Sequence, residues 1–234
     1  MDIFFVCMEI IGIVAFAVSG AVTAMRHCMD LFGICMLGVT TAVGGGIIRD
    51  ILLGIIPASA LADPTNTAIA CATALLVFLP PVRRLLFRNR RSVDRILLVA
   101  DSAGLAAFTA HGFRVAVAAG YADSFFFSVF VAVLTGVGGG VLRDLFAGER
   151  PYIFVKHIYA IASIAGALLC AVLYRYVHLG IAALSAFAAV FVIRLLSAAL
   201  HLKLPRAYLP DEAASARQES AAPAAPPYDF SLLK

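Results

Sequence analysis

The sequence predicts an all-α integral membrane protein with seven transmembrane helices, arranged as two inverted three-helix repeats and a seventh helix. Its 234 residues are 62% hydrophobic and 14% charged, whereas a soluble domain is about half apolar and about a quarter charged. Several apolar runs reach the roughly 20 residues that span a bilayer. A glycine-rich segment also occurs twice, in spans that run in opposite directions.

Polar segments divide the apolar sequence into seven predicted spans. These spans are 3–25, 31–54, 66–87, 95–119, 124–147, 154–176 and 179–201. Asp30, Asn66 and Asp123 lie at the starts of the second, third and fifth spans, where a side-chain oxygen can accept a hydrogen bond from a free backbone N–H. The first run carries Asp2 instead of the basic region of a signal peptide, so we expect a retained helix.

The chain is expected to contain one membrane domain and a tail. The transmembrane domain covers residues 1–204, with the first repeat at about 3–87, the second at about 95–176 and the seventh helix at about 179–201. The remaining sequence is rich in proline, alanine and charge, and it cannot bury enough apolar surface to offset its chain entropy. Residues 205–234 are therefore predicted to be a disordered tail.

The basic residues behind the formal net charge of +4 include a cluster of arginines between Arg83 and Arg95. Short loops rich in arginine and lysine stay in the cytoplasm, so we interpret this loop as a topology signal and not as a nucleic-acid site. The N-terminus then lies outside and the tail lies in the cytoplasm. We expect the protein in the cell inner membrane, in contact with lipids.

The internal repeat is the most informative feature of the sequence. The segment GGGIIRDILLGIIP, from Gly44 to Pro57, recurs as GGGVLRDLFAGERP, from Gly138 to Pro151. The first and fourth spans also align, with Glu9, Gly12, Phe16 and Gly20 corresponding to Asp101, Gly104, Phe108 and Gly112. Three spans separate the two motifs, and an odd number reverses the chain direction. Inverted repeats of this kind place the transported species near the membrane midplane, between the repeats.

Each repeat contains a glycine triplet about two thirds of the way through its second span. The triplets are Gly44, Gly45 and Gly46, and Gly138, Gly139 and Gly140. Each glycine weakens a helix by about 1 kcal/mol relative to alanine, so we expect both helices to be interrupted and to line a cavity. Carbonyl groups at an interruption can replace the hydration shell of a cation. The alternative is that the glycines only let helices pack closely.

Six charged residues are predicted to lie beside the pathway. They are Glu9, Arg49, Asp50, Asp101, Arg143 and Asp144. Buried charge in a membrane is usually functional or paired, so Glu9 and Asp101 are candidate partners of the two arginines, with the adjacent aspartates as alternatives. An unpaired arginine would repel a cation and attract a carboxylate. Arg114 and Arg194 are expected to snorkel toward the membrane surface.

We predict no catalytic, metal or cofactor site, and therefore no enzyme activity. The five cysteines lack CxxC spacing. His111, His157, His178 and His201 share no spacing typical of metal ligands. Ser19 has no base positioned to activate it as a nucleophile.

Three segments resemble the bacterial branch of the TRIC family, the trimeric intracellular cation channels, a branch also described as glycine-transporter-domain membrane proteins. They are FAVSGAVTA in the first span, GGGIIRDILLG and GGGVLRDLFAGERP, and the resemblance extends over residues 3–201. It implies a homotrimer of seven-helix protomers. Each protomer would contain a water-filled pathway lined by the second and fifth helices, kinked at their glycine triplets.

The function that this resemblance implies is a channel for monovalent cations, chiefly K⁺ with some Na⁺. The alternative is a transporter of a small amino acid such as glycine along the same pathway, because an arginine near the N-terminus of a half-helix suits a carboxylate. A trimeric scaffold without transport is the third class.

Overall fold

The structure, a computed structural model, describes residues 3–155 and 158–200, and all regular structure within these ranges is helical. The helices are α1 (Ile3–Arg26), α2 (Leu31–Leu52), α3 (Ser59–Ala62), α4 (Thr65–Phe78), α5 (Pro80–Leu86), α6 (Arg90–Ala116), α7 (Phe125–Phe146), α8 (Tyr152–Val155), α9 (Ile158–Leu173) and α10 (Leu179–Ala199). A π-helical turn, Val117–Tyr121, continues α6. The predicted tail, residues 205–234, lies outside the described residues, as do His157 and His201.

By length and composition, the described helices provide up to six membrane spans and one shorter apolar helix. Five of them, α1, α2, α6, α7 and α10, are long and apolar enough to cross a bilayer. Helices α4 and α5 form a bent pair, a broken span or a re-entrant loop, with an angle of 73° between them. The bend lies at Pro80, which lacks the N–H that would continue α4. The shorter apolar helix α9, with 16 residues, is the counterpart of α4 in the second repeat. The predicted fold class, two inverted three-helix repeats and a seventh helix, is confirmed.

One of the three predicted N-caps is present. Asp30 Oδ1 accepts a hydrogen bond from the backbone N–H of Gly33 at 2.8 Å, at the start of α2. Asp123 does not cap α7, because Ser124 occupies that position without a side-chain hydrogen bond. Helix α4 begins at Thr65, so Asn66 lies within its first turn and its side chain contacts α1 instead.

Helices α2 and α7 cross at their glycine triplets. A Cβ atom added at Gly45 would collide with the backbone carbonyl of Thr135, and one added at Gly139 would collide with the backbone carbonyl of Thr41. Thr41 and Thr135 occupy equivalent positions in the two repeats, so the contact is reciprocal. Gly45 and Gly139 therefore allow the two helices to pack closely at this crossing, which supports the alternative interpretation of the triplets.

The triplets do not interrupt the helices. Helices α2 and α7 are continuous over their 22 residues, through Gly44–Gly46 and Gly138–Gly140, so the predicted interruption is wrong. Without water, each backbone N–H and C=O group is best satisfied within its own helix, and the close packing offsets the low helix propensity of glycine. A bend within the continuous helices, the predicted kink, stays a prediction.

Replacing Gly45 or Gly139 by alanine is expected to lower the thermal unfolding temperature of the purified protein in detergent. The added methyl group must push α2 and α7 apart, and overpacking of this kind costs about 1–3 kcal/mol. Gly180→Ala is the matched control, because a Cβ atom at that position of α10 meets no neighbour within 4 Å. Equal unfolding temperatures for the three variants would contradict close packing at the crossing.

Candidate functional site

A buried arginine near the end of the second motif donates hydrogen bonds to side chains on three helices. Arg143 is 1% exposed. Its Nη1 donates to Asp101 Oδ1 at 2.6 Å and to Ser19 Oγ at 2.5 Å, while Nε and Nη2 donate to Asp144 Oδ1 at 2.8 and 2.7 Å. Every guanidinium nitrogen has a partner, and α1, α6 and α7 are joined at this point. The predicted pairing of Arg143 with Asp101 is confirmed.

Asp101 also contacts a second buried arginine, on the seventh helix. Arg194 Nη2 lies 3.5 Å from Asp101 Oδ2, and the guanidinium lies over the ring of Tyr159, 4.8 Å from its centroid. Arg194 is 4% exposed, so the predicted snorkelling is wrong, because Asp101 provides a partner inside the bundle. Arg143, Arg194, Asp101 and Asp144 together form a group of buried charges that is neutral overall.

The first motif repeats the local part of this arrangement. Arg49 Nε donates to Asp50 Oδ1 at 2.8 Å, and Arg49 Nη2 lies 2.7 Å from the same oxygen. Asp50 Oδ2 accepts a hydrogen bond from the backbone N–H of Ser59 at 2.7 Å, as Asp144 Oδ2 accepts one from that of Tyr152 at 2.7 Å. In both repeats the aspartate therefore links the arginine to the short helix that follows, α3 or α8.

Glu9 differs from Asp101, its equivalent in the second repeat. Glu9 Oε1 accepts a hydrogen bond from Asn66 Nδ2 at 2.7 Å, and within residues 3–155 and 158–200 Arg49 forms its ion pair with Asp50 and not with Glu9. The predicted pairing is therefore wrong in the first repeat, because Asp50 occupies the arginine and Asn66 binds the glutamate. Glu9, Arg49 and Asp50 together carry one net negative charge.

A cavity lies at each of these charged groups. The Arg49 cavity, of about 30 Å³, has walls that include Glu9, Arg49, Asp50, Ser59, Asn66 and Phe108. The Arg194 cavity, of about 130 Å³, has walls that include Arg26, Asp94, Leu97, Leu98, Asp101 and Arg194. Since a water molecule occupies about 30 Å³ in the liquid, the first cavity has room for about one water molecule and the second for several.

Two equivalent phenylalanines separate the cavities. The ring centroids of Phe16 and Phe108 are 5.3 Å apart, and both side chains are buried. Phe16 also packs against Gly104 and Gly139. On α6, Phe108 lines the Arg49 cavity, and Asp101, two turns and about 10 Å away, lines the Arg194 cavity. Because Phe16 packs at Gly104, the aromatic contact lies, along α6, between Asp101 and Phe108, which line the two cavities.

Phe16, Phe108 and Arg194 were not predicted as site residues. The two phenylalanines carried a signal, since they align between the repeats, but their contact with each other is visible only in the folded chain. Arg194 carried no such signal, because α10 has no counterpart in the repeat. Ser19 was considered only as a nucleophile, and in the structure it accepts a hydrogen bond from Arg143.

Solved structures with the same fold are TRIC channels. A prokaryotic TRIC channel crystallised in 0.5 M KCl superposes with a TM-score of 0.79 and 30% sequence identity, over 87% of this chain and 100% of that one. The TRIC trimeric intracellular cation channel orthologue from Rhodobacter sphaeroides superposes with a TM-score of 0.75 and 32% identity, over 85% of this chain and 98% of that one.

Sequence comparisons identify the family. A family model described as glycine transporter matches residues 6–80 and 98–175, one segment in each repeat. The UPF0126 inner membrane protein YadS of Escherichia coli strain K12 is 38% identical over 200 residues, which cover 85% of this chain and 93% of YadS. The chain belongs to the TRIC/UPF0126 family. Another relative in this family, the UPF0126 membrane protein YvgT of Bacillus subtilis strain 168, is 41% identical over 163 residues, 69% of this chain and 77% of YvgT.

In this TRIC/UPF0126 protein, Asp101→Asn is expected to destabilise the fold far more than the equivalent change Glu9→Gln. The first change leaves Arg143 buried with one of its two carboxylate partners neutralised, and breaking a buried ion pair costs about 3–5 kcal/mol. The second keeps an oxygen that accepts the hydrogen bond from Asn66 and breaks no ion pair. Thermal unfolding in detergent measures both variants, and similar losses would contradict the difference between the two sites.

Proposed function

We propose that this protein is a channel for monovalent cations, chiefly K⁺ with some Na⁺, that it assembles as a homotrimer, and that each protomer contains one pathway. The relative from Rhodobacter sphaeroides is named as a trimeric cation channel, which supports both the permeant ion and the assembly. The observation that carries the proposal is the pair of charged cavities on either side of Phe16 and Phe108.

The proposed pathway runs between α1, α2, α6 and α7 and joins the Arg49 cavity to the Arg194 cavity. In the conformation described here it is occluded by Phe16 and Phe108, and a constriction lined by apolar rings excludes ions by excluding water. Opening requires the two rings to turn away from each other. Gly139, at the α2–α7 crossing, lies next to Phe16, where a bend of α7 would move the ring.

The electrostatics of the cavities favour a cation. Arg49 and Arg143 are neutralised by hydrogen-bonded carboxylates, so neither guanidinium presents an unbalanced charge to an ion on the pathway. Glu9 accepts a hydrogen bond from the neutral amide of Asn66. Among the described residues no cation pairs with it, so its negative charge remains unbalanced in the Arg49 cavity. A charge inside a low-dielectric wall acts more strongly than in water, so this cavity attracts cations and disfavours anions.

We orient the chain in the inner membrane with Arg83–Arg95 in the cytoplasm. Asp94 belongs to that segment, near the start of α6, and it forms an ion pair with Arg26 at the end of α1. Both residues lie on the wall of the Arg194 cavity. The Arg194 cavity therefore faces the cytoplasm, and the Arg49 cavity faces the outside. Apolar side chains exposed on the helices, such as Phe126 and Leu184, contact lipids or neighbouring copies.

A C-terminal fusion tests this orientation. We expect green fluorescent protein fused after Lys234 to fluoresce and alkaline phosphatase fused at the same place to be inactive, because the first folds in the cytoplasm and the second matures outside it. The reverse result would place the Arg194 cavity on the outer face.

Replacing Phe16 or Phe108 by alanine is expected to increase K⁺ current, since each change removes half of the aromatic occlusion. The measurement is the open probability and unitary conductance of the purified protein in planar bilayers, with a KCl gradient to report the preference for cations. We expect several-fold higher open probability and a reversal potential that keeps its cation-selective sign.

Phe130→Ala is the control for this experiment. Phe130 lies on α7, one of the helices of the proposed pathway, but its side chain is 46% exposed on the surface of the bundle. Currents that rise equally in all three variants would point to general loosening of the fold. Currents unchanged in Phe16→Ala and Phe108→Ala would exclude the aromatic pair as the occlusion.

A carrier for a small amino acid is the second candidate function. It is favoured by the description of the matching family model as glycine transporter and by the Arg194 cavity, whose walls carry charges of both signs. Glycine uptake into proteoliposomes that saturates, with no unitary K⁺ current, would establish the carrier. Unitary currents without glycine uptake would establish the channel, and silence in both assays would favour a scaffold.

A further inference from the structure

A groove in the first repeat, here called the α5 groove, combines two arginines with an apolar floor. It has a volume of about 520 Å³ and lies between the turn that joins α1 to α2 and the bent pair α4 and α5. Its walls are formed by Met25, Cys28, Met29, Ile34, Phe78, Arg83, Arg84 and Phe87. Among the described residues, none lines both this groove and the Arg49 or Arg194 cavity, so the groove is separate from the proposed pathway.

The floor of the α5 groove belongs to the apolar core formed by α1, α2 and α4. Ile34 is fully buried within this core, and Met25, Met29 and Phe78 pack against it while remaining partly exposed. A cavity of about 150 Å³ accommodates benzene, and the volume of the groove is about three times as large. The groove therefore has room for a segment of a hydrocarbon chain as well as for a polar group.

The two arginines of the groove are accessible and carry unbalanced charge. Arg83 and Arg84 are exposed, and the ion pairs within residues 3–155 and 158–200 include neither of them. The guanidinium of Arg83 lies over the ring of Phe78, with Cζ 5.5 Å from the ring centroid, so the charge stands beside the apolar wall. Guanidinium groups bind phosphate through parallel hydrogen bonds, and two adjacent arginines without a carboxylate partner offer a site for such a group.

The bend between α4 and α5 places the groove at the surface of the membrane. Because α4 extends into the bilayer, the angle of 73° between the two helices turns α5 toward the membrane plane. Leu79 and Leu85, on either side of the two arginines in sequence, are 45% and 71% exposed. Helical segments that combine exposed apolar residues with arginines lie at the level of the lipid headgroups, and basic pockets on the cytoplasmic side bind anionic headgroups.

We propose that the α5 groove binds one anionic phospholipid of the cytoplasmic leaflet, such as phosphatidylglycerol. Arg83 and Arg84 bind the phosphate group, and the first part of an acyl chain lies against Met25, Met29 and Phe78. A phospholipid matches both properties of the groove, since a free phosphate ion would leave the apolar floor uncovered and an uncharged chain would leave the arginines without a counter-charge. The site goes beyond the proposed channel, and only the choice of leaflet rests on the proposed orientation.

Native mass spectrometry of the purified full-length protein, titrated with phosphatidylglycerol in detergent, tests this inference. We expect the first phosphatidylglycerol on each protomer to bind at least about tenfold more tightly than phosphatidylethanolamine, whose ammonium group offsets the charge of its phosphate. Equal affinities for the two lipids overturn the inference. Inorganic phosphate is expected to leave the bound lipid in place, and displacement of the lipid by phosphate at the same concentration would overturn the lipid as the occupant.

Two double variants with the same net charge separate a defined site from general attraction to the basic segment. Arg83→Gln with Arg84→Gln is expected to weaken phosphatidylglycerol binding at least about tenfold, and the fold is retained because both side chains are exposed. Arg88→Gln with Arg91→Gln is the matched control, since these exposed arginines of the same segment lie outside the groove. The control is expected to bind as the wild type does, and equal losses in the two double variants overturn the site.

Cysteine labelling locates the bound lipid, because Cys28 is exposed on the wall of the groove. Cys7, also exposed, lies near the other end of α1 and serves as the internal control. We expect saturating phosphatidylglycerol to slow the reaction of Cys28 with a maleimide several-fold and to leave that of Cys7 unchanged.

Unchanged labelling of Cys28 at saturating lipid overturns the assignment to this groove. A Cys28 that stays unreactive before any lipid is added would show that protein covers the groove, which overturns the assignment as well. Neither lipid binding nor labelling requires K⁺ conduction, so these outcomes are independent of the channel proposal.

Discussion

The crossing of α2 and α7 is the contact on which the rest of the structure depends. Lipid chains are as apolar as leucine, so helices in a membrane gain little from hiding apolar side chains and associate through close packing. Gly45 and Gly139 let the two backbones meet at the carbonyls of Thr135 and Thr41. This approach fixes the position of Phe16 against Gly139, and it holds the two motifs in their antiparallel arrangement.

The two repeats share a local device and differ in what surrounds it. In each, an arginine pairs with the next aspartate, and that aspartate binds the backbone of the following short helix. The surroundings come from other helices, with Asn66 of α4 next to Glu9 and Arg194 of α10 next to Asp101. One end therefore keeps an excess negative charge, and the other is neutral with a larger cavity. The two ends therefore differ chemically, although their motifs match.

The sequence was sufficient to predict the fold class and the pairing of Arg143 with Asp101, because both follow from the alignment of the repeats. It was insufficient for the state of the glycine triplets. Helix propensity alone predicts a break at three glycines. The packing that offsets this tendency comes from the equivalent helix of the other repeat, since Gly45 packs against Gly139, 94 residues later in the chain. The contacts of Glu9 with Asn66 and of Asp101 with Arg194 were likewise not predicted, because Asn66 and Arg194 lie outside the aligned segments.

Asp50 and Asp144 each bind two groups at once, a guanidinium in the same helix and a backbone N–H of the segment beyond it. An arginine that shifts must therefore pull on its connecting loop. Because the repeats are inverted, these loops emerge on opposite surfaces of the bilayer. Each surface is thus connected through one loop to one buried arginine, Arg49 or Arg143, and a partner or lipid that binds the loop acts on that arginine.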